Sequence, residues 1–396
     1  MKYFPRQNAI GTVFVLLGFA ACANANVEAP ATNDQNGDGD ASMDAAQVEL
    51  VDAGASDASD AADAADAADE TDAGGVPKCT VDWCETPLPI PDGGKLTLMD
   101  VWVPAPKSAW AVSEEGLVLR WNGAQWTVVW DAQTPLYGVW GDHEGDIWVV
   151  GAAGAILRGH EGTTWTSIPS GTTTDLMEIC EASRDTERPR NMAIVGVAGT
   201  VLRWTGATGE DGNPSWETST PGVDHELHSV SCSGFDVWVT GRSTDIFEGG
   251  PRIYLESGAS WIAQPTIAGA SRNESYSKIW AFDRQNFWVR GGGVLRAAPA
   301  GDGGAYSWSE YLVPVAGAMK RRSSIWGTGV NDVWIASSRG RVHHWDGSSL
   351  KITATAKSWD VLNNNLHAVS GSGPNDVWVV GDNIALHRNV NRQDQD

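Results

Sequence analysis

The sequence predicts an all-β fold, a seven-bladed β-propeller of four-stranded antiparallel blades, and three observations predict it. One sequence motif recurs seven times between Val101 and Ala385, with variations. It consists of an apolar pair, a Gly/Asp turn, a Trp-Val-Val run, a Leu-Arg pair and a final Trp. The copies lie 38 to 51 residues apart and hold about four short strands each, as propeller blades do. The seventh copy lacks its last strand. The first-strand anchors are Val101, Val139, Ile179, Val230, Ile279, Ile325 and Val369.

The other strands of each copy follow from its residues. The second strand is an apolar run such as 147–150, which suits a strand covered on both faces. Gly, Asn and Asp precede these runs because they tolerate tight hairpin turns. The third strand ends in a cation in six copies, with Leu255 in the fourth. The second-strand anchors are Trp110, Trp148, Ala193, Trp238, Trp288, Trp334 and Trp378; the third-strand cations are Arg120, Arg158, Arg203, Arg296, His344 and His387.

The missing outer strand of the seventh copy has a counterpart at the other end of the repeats. Residues 81–87 have the same Trp-to-Pro spacing, Trp83 to Pro87, as Trp165 to Pro169 in the second copy. We therefore expect residues 81–87 to pair with the last blade and close the ring. Closure hides two strand edges that an open array would expose to aggregation. This favours seven blades over six or eight.

The N-terminus, residues 1–21, is typical of a signal peptide. Lys2 and Arg6 precede an apolar run, 10–21, that is too short to span a bilayer. The run ends in Gly18-Phe19-Ala20-Ala21-Cys22, which resembles the bacterial lipobox, with Phe19 where that motif usually has Leu. The resemblance implies lipidation of Cys22 after cleavage. Ordinary signal-peptidase cleavage after an Ala in the same stretch is the alternative.

Residues 22–78 are predicted to form a disordered acidic Asp/Ala-rich linker. Positions 23–77 hold 14 acidic residues and no Lys or Arg, within a net charge of −23. A segment with one sign of charge and almost no large apolar side chains cannot bury a core, so we interpret it as a tether. The acidity also argues against a nucleic-acid partner, because phosphate binding needs clustered Lys and Arg.

The propeller is expected over residues 79–390, with a disordered tail at 391–396. All 21 Trp lie between Trp83 and Trp378. Because they recur at fixed blade positions, interior packing explains them better than a carbohydrate platform does. This region is long enough for one large core.

Five cysteines fit an exported protein. If Cys22 is lipidated, four remain. Cys180 and Cys232 fall in the first strands of neighbouring copies, and Cys79 and Cys84 are neighbours at the closure strand. Of three connectivities we favour 79–84 with 180–232, with buried free thiols as the alternative. The spacing does not suit zinc.

Two further clusters contain side chains of metal-ligand type. The stretch 34–40 matches the start of a calcium loop but has Ala45 at the position of the bidentate acid. The stretch 224–228 groups His and acidic residues at the start of a strand. We interpret the first as solvated linker and the second as a polar inter-blade loop, and expect no metal or cofactor.

The stretch from Gly151 to Trp165 resembles the Asp-box, or BNR, hairpin. Arg158-Gly-His160-Glu-Gly162-Thr-Thr164-Trp165 keeps the Gly, Thr and Trp of that hairpin, with His160 in place of its Asp. The hairpin occurs in sialidase-like propellers and in seven-bladed photosystem assembly factors of the Ycf48 type. The lipobox, linker and VWG…NDVWVVG repeats together also resemble myxobacterial cell-surface propeller lipoproteins. These resemblances imply the fold rather than an activity.

The predicted function is a non-enzymatic binding or assembly scaffold, and two features of the repeats are candidate partner sites. If the six third-strand cations are equivalent, they form a ring on one face that is a candidate surface for an anionic protein or glycan. The alternative is that each pairs locally with a loop acid. The longest loops, in copies three to five, are the other candidate partner site: 181–191, 205–214, 242–252, 266–275 and 297–307.

The expected protein is a monomeric lipoprotein of the bacterial outer membrane or cell surface, held by its lipid anchor, with an unknown protein or glycan partner. A periplasmic or secreted location is the alternative. One functional alternative is a secreted carbohydrate-active enzyme of the sialidase-like type, for which Pro251-Arg252-Ile253-Tyr254 is a partial echo of the Arg-Ile-Pro motif. Another is a purely structural envelope protein.

Overall fold

The computed structural model describes most of the repeat region. The described residues are 79–80, 82–90, 94–142, 144–160, 164–182, 191–204, 206–210, 212–222, 225–244, 249–267, 275–301, 306–311, 324–353 and 364–389. The predicted signal peptide, Cys22, the linker and the tail lie outside these ranges. Among the described residues, no helix is long and apolar enough to cross a membrane.

The described residues form seven four-stranded antiparallel sheets, which makes the chain a seven-bladed β-propeller. The closing strand and blades 1 to 3 are β1 (Trp83–Glu85); β2 (Leu98–Ala105), β3 (Ser108–Ser113), β4 (Leu117–Trp121), β5 (Trp126–Asp131); β6 (Leu136–Gly141), β7 (Ile147–Gly151), β8 (Ile156–His160), β9 (Thr164–Ser167); β10 (Leu176–Glu181), β11 (Met192–Gly196), β12 (Val201–Trp204), β13 (Glu217–Ser219). Blades 4 to 7 are β14 (His225–Ser233), β15 (Asp236–Ser243), β16 (Gly250–Ser257), β17 (Ser260–Ala263); β18 (Lys278–Ala281), β19 (Phe287–Arg290), β20 (Val294–Pro299), β21 (Tyr306–Tyr311); β22 (Ile325–Gly329), β23 (Asp332–Ala336), β24 (Val342–Trp345), β25 (Leu350–Thr353); β26 (Leu366–Gly373), β27 (Asp376–Gly381), β28 (Ile384–Asn389).

The predicted ring closure is confirmed. Strand β1 pairs antiparallel with β28, with Trp83 opposite Arg388 and Glu85 opposite Leu386, and so supplies the outer strand of blade 7. Just after β1, the hydroxyl of Thr86 donates to the carbonyl of Ala385 at 3.1 Å. The same hydroxyl accepts a 3.0 Å hydrogen bond from the indole of Trp126 in blade 1, so the closing segment also contacts the next blade.

The core lies between the blades. The second-strand Trp residues of blades 2, 4, 6 and 7, Trp148, Trp238, Trp334 and Trp378, are almost completely buried. Among the described residues, seven apolar clusters each combine residues of two adjacent blades: Trp148, for example, packs with Ile179 and Trp204 of blade 3. This explains why both faces of the second strands are apolar in the sequence.

Candidate functional site

The six third-strand cations occupy equivalent positions. Each lies directly across from the second-strand anchor of its own blade, as Arg158 lies opposite Trp148 and His387 opposite Trp378. In blade 4 the position across from Trp238 is Leu255. The remaining pairs are Trp110 with Arg120, Ala193 with Arg203, Trp288 with Arg296 and Trp334 with His344.

Five of the six cations pack on the indole of their own blade. The guanidinium groups of Arg120 and Arg158 lie 5.2 Å from the ring centres of Trp110 and Trp148. That of Arg296 lies 5.9 Å from Trp288 and 5.1 Å from Trp345 in the next blade. The imidazoles stack, His344 on Trp334 at 3.9 Å and His387 on Trp378 at 4.1 Å. The arginine contacts are cation–π interactions, which contribute about 0.5–2 kcal/mol.

In three blades the cation also bonds an aspartate two residues before the Trp. Arg158 forms an ion pair with Asp146, which is buried. The imidazole of His344 lies 2.6 Å from the carboxylate of Asp332, and His387 lies 2.6 Å from Asp376. Hydrogen bonds to a carboxylate favour its charged form. Burial alone would raise the pKa of Asp332, but its bonds to His344, Thr328 and Trp334 outweigh burial and hold the pKa below its ordinary value.

Blade 3 has Ala193 in place of Trp, and its cation has different partners. Arg203 is buried, donates to the carbonyl of Met192 at 3.1 Å and forms a 2.9 Å ion pair with Glu256 of blade 4. Burial lowers the pKa of Arg203 and raises the pKa of Glu256. The salt bridge therefore spans two blades.

The six third-strand cations therefore contact indoles and carboxylates of the propeller itself. Four of the six bond a carboxylate, and five contact an indole, so their polar groups are engaged by neighbouring side chains. A role in partner binding stays a prediction. The long loops of copies three to five, which were the other predicted partner site, are described only in part, and their role in partner binding also stays a prediction.

A cavity of about 310 Å³ occupies the central channel. The first strands of all seven blades line it. Four indoles form much of its wall, each one residue after the first-strand anchor of its blade: Trp102, Trp140, Trp280 and Trp326. Blades 3 and 4 contribute Cys180, Ser231 and Cys232 to this wall, and blade 7 contributes Ser370.

Glycines make room for two of these rings. A Cβ on Gly141 would fall 1.9 Å from Trp102, and a Cβ on Gly371 would fall 2.7 Å from Trp326. Each indole thus lies over the first strand of the following blade. At the outer end of the cavity the lining residues Pro104 and Ser372 are exposed, so the cavity opens on the face that carries the turns between first and second strands. We call this face the hairpin face.

Side chains one residue before the anchors link the blades around the channel. The carboxylate of Asp100 accepts a 3.0 Å hydrogen bond from the backbone N–H of Val139 in the next blade. Glu178 accepts from Val230 at 3.0 Å in the same way. The hydroxyl of Ser229 accepts from Ile279 at 3.1 Å. These hydrogen bonds satisfy first-strand N–H groups that lack a strand partner on the channel side.

The other end of the cavity is narrowed by side chains. Lys278 of blade 5 forms an ion pair with Glu178 of blade 3, so the pair spans the channel without a residue of blade 4. Met99, Tyr137 and Met177 form a small buried apolar cluster at this end. A cavity of about 20 Å³, enough for one water molecule, is lined by these five residues among others.

Aromatic residues continue from the opening onto the hairpin face. Phe235 and Phe282, in the first turns of blades 4 and 5, are 56 % and 43 % exposed. Phe282 lies 5.9 Å from the ring of Trp280. Arg284 and Asp236 join the two turns through a 2.7 Å ion pair. We call Phe235 and Phe282 the aromatic rim.

The structure contains two disulfides, Cys79–Cys84 and Cys180–Cys232, which is the connectivity that the sequence favours. The first closes a short loop next to β1. The second joins the first strands of blades 3 and 4 in the cavity wall. In the described part of the chain, no group of three or more His, Cys, Asp or Glu side chains is arranged to hold a metal ion.

The partial echo of a sialidase motif lies on β16, the third strand of blade 4. The hydroxyl of Tyr254 lies 2.7 Å from Nε2 of His225, and Tyr254 is buried among inter-blade residues. Arg252 donates to the carbonyl of Pro251 at 3.1 Å. Neither side chain is among those lining the described channel cavity.

No protein-family model matches the chain, and no curated protein matches it. Solved propeller structures do. YCF48 from Cyanidioschyzon merolae is 17 % identical with a TM-score of 0.56, over 78 % of this chain and 99 % of that one. YCF48 bound to D1 peptide is 17 % identical with a TM-score of 0.54, over 80 % of this chain and 99 % of that one. The WD40 propeller domain of Doa1 is 15 % identical with a TM-score of 0.55, over 74 % of this chain and 92 % of that one. The likeness is one of fold.

The Trp-lined cavity is the part of the site that the sequence prediction missed. The signal was present, since a Trp follows the first-strand anchor in four of the seven copies. Interior packing explained these Trp residues as well as it explained the second-strand ones. Their partial exposure to the channel became evident only in three dimensions.

Proposed function

We propose that this protein is a non-enzymatic binding or assembly module of the bacterial envelope, and that it takes a segment of a partner protein at the channel opening. The observation that carries the proposal is the Trp-lined cavity, which is continuous with the aromatic rim. Pockets that bind side chains of partners are typically apolar and aromatic, with a few polar groups that fix orientation. An apolar or aromatic side chain would enter the cavity while its backbone lies on the rim.

The arrangement of charges supports binding over hydrolysis. The channel carboxylates, Asp100 and Glu178, already accept backbone hydrogen bonds, and Glu178 also bonds Lys278. A glycosidase needs two carboxylates free to act as acid and as nucleophile or base. The sialidase-like alternative requires a convergence of arginines with a tyrosine, whereas Tyr254 and Arg252 have partners in blade 4.

Two considerations favour a protein over a glycan as partner. The exposed phenylalanines of the aromatic rim suit apolar side chains, which sugars lack. The similar YCF48 structure contains a bound peptide, which makes peptide binding on this fold a reasonable proposal for this chain. Export, the lipid anchor at Cys22 and a monomeric state complete the proposal and rest on the N-terminal sequence and the closed ring.

A cavity-filling variant tests the proposed site. Ser370 lines the cavity at the position where four other blades have Trp, so Ser370→Trp follows the repeat while occupying the space. Peptides selected from a random library on the full-length chain serve as probes. We expect Ser370→Trp to weaken their binding by at least about tenfold, as loss of a buried anchor does. Ser260→Trp, on the exposed outer strand of blade 4, is the matched control.

Each outcome has a defined meaning. Equal binding to both variants would contradict the cavity as the site. Selection of glycans in place of peptides would replace the protein partner with a carbohydrate. Turnover of a sialoside or another glycoside would overturn the non-enzymatic assignment. Mass spectrometry that finds Cys22 unmodified, or absent from the mature chain, would exclude the lipid anchor.

A further inference from the structure

A buried arginine lies between blades 5 and 6. Arg290, the last residue of β19, is 1 % exposed. In the part of the chain that the structure describes, both terminal nitrogens of its guanidinium, Nη1 and Nη2, lack a hydrogen-bond partner. Among the described residues, no carboxylate forms an ion pair with it. Burial lowers the pKa of Arg290 to about 10, so the group stays charged at neutral pH.

The other six blades show that the fold does not require a cation here. Arg290 lies opposite Lys278, the residue before the first-strand anchor. The equivalent position in every other blade holds a completely buried small or β-branched residue. These residues are Val112, Val150, Val195, Thr240, Ala336 and Val380.

A second basic residue replaces an apolar one on the facing blade. His343 in β24 is 4 % exposed and lies opposite Ile335. Five of the six equivalent residues are Leu: Leu119, Leu157, Leu202, Leu295 and Leu386, with Tyr254 in blade 4. Blade 5 and blade 6 therefore both deviate from the repeat where they meet.

The two deviations face each other. Residues two apart in a strand share a face, so Arg290 points to the same side as Trp288, which packs with Ile335 of blade 6. His343 shares the face of Ile335, its cross-strand partner. Burial, and then the positive charges of Arg290 and Arg341, lower the pKa of His343 to about 4.

We propose that Arg290 and His343 form a binding site for a small oxyanion, such as a carboxylate or phosphate group, between blades 5 and 6. A guanidinium whose two terminal nitrogens are unpaired matches the two oxygens of such a group. The turn after Arg290 consists of Gly291, Gly292 and Gly293, which place no side chain over the end of the strand. The anion supplies the counter-charge that burial of Arg290 otherwise lacks.

Anion-dependent stability tests the site. Thermal unfolding of the full-length chain is measured in acetate, in phosphate and in chloride at equal ionic strength and pH. An anion that binds the native state raises the unfolding temperature in a saturable way. We expect acetate or phosphate to do so relative to chloride, and Arg290→Val to weaken the apparent affinity by at least about tenfold. Thr240→Val, at the same position of blade 4, should leave the effect unchanged.

Two further measurements distinguish anion binding at Arg290 from other effects of the anion. The pKa of His343, followed by NMR, should rise when acetate or phosphate binds, and should not respond in Arg290→Val. If Arg290→Val does not fold, Arg290→Lys keeps the charge but loses the paired donors and should weaken binding. The proposal is overturned if the wild-type chain does not distinguish oxyanions from chloride, or if Arg290→Val or Arg290→Lys retains the full effect. A free anion and a carboxylate on a partner are distinguished by comparing acetate with peptides that end in a carboxylate or an amide.

Discussion

Replacement of Trp83 by alanine measures how much the closing strand contributes. Trp83 is 1 % exposed, and its ring meets that of Trp334 in blade 6 edge to face at 5.9 Å. The indole N–H has no hydrogen-bond partner among the described residues, so the variant loses packing but no hydrogen bond seen in the structure. Buried Trp-to-Ala changes cost about 3–5 kcal/mol, which includes about 1 kcal/mol for the aromatic pair. We expect a loss near the middle of that range, measured by guanidinium unfolding.

The location of the effect is as informative as its size. Strand β1 is held to β28 by three residue pairs, and no hairpin turn joins these two strands. Once Trp83 is removed, hydrogen exchange should therefore rise along β28. Trp165→Ala is the matched control, since Trp165 is a 9 % exposed outer-strand Trp of blade 2 whose strand, β9, follows its neighbour β8 directly in the sequence. A Trp83→Ala loss below about 1 kcal/mol, or equal exchange of β28 in both variants, would refute closure by β1.

Two more stability predictions follow from loop length and from charge. On the chain-entropy model, removal of the Cys180–Cys232 disulfide, whose cysteines are separated by 52 residues, should lower the free energy of unfolding by about 4 kcal/mol. Removal of Cys79–Cys84, separated by 5 residues, should lower it by about 2 kcal/mol. Chemical unfolding of the two double-alanine variants checks this, and the reverse order of losses would contradict it. Because the pKa of Asp332 is lowered, its stabilisation is present above its ordinary pKa and is lost as pH falls through the folded value. Asp332→Asn should thus cost about 1–2 kcal/mol at pH 7, and this cost should shrink as pH falls below the ordinary pKa of 3.8 towards the lower folded value; a deficit independent of pH would exclude the carboxylate as its source.

The blade boundaries and the closure could be predicted because they depend on local pattern. Anchors such as Val139 and Trp148 repeat at nearly constant spacing, and turn residues separate the strands. The closing strand was identified from one Trp-to-Pro spacing, because an incomplete last copy requires its partner elsewhere in the chain. Pairing of Cys180 with Cys232 followed from the adjacency of consecutive blades.

The contacts of the six third-strand cations could not be predicted from the sequence in the same detail. Spacing placed Arg158 and His387 at equivalent positions but did not reveal whether they face solvent or the neighbouring strand. That choice depends on cross-strand register, which sets each cation against the Trp of its own blade. The aspartates before those Trp residues were interpreted as turn formers, and Asp146, Asp332 and Asp376 are also the partners of third-strand side chains.

The repeat provides an internal control that separates structural from functional deviations. Blade 3 lacks the second-strand Trp, and there Arg203 is compensated by Glu256 of the next blade. Arg290 deviates from six uncharged equivalents, and no carboxylate among the described residues compensates it. A buried charge that the fold neither needs nor balances is costly, and a cost kept in one blade of seven calls for a ligand that balances it. Deviation alone therefore does not identify a site in a propeller; deviation without compensation does, and sequence can reveal only the first of these.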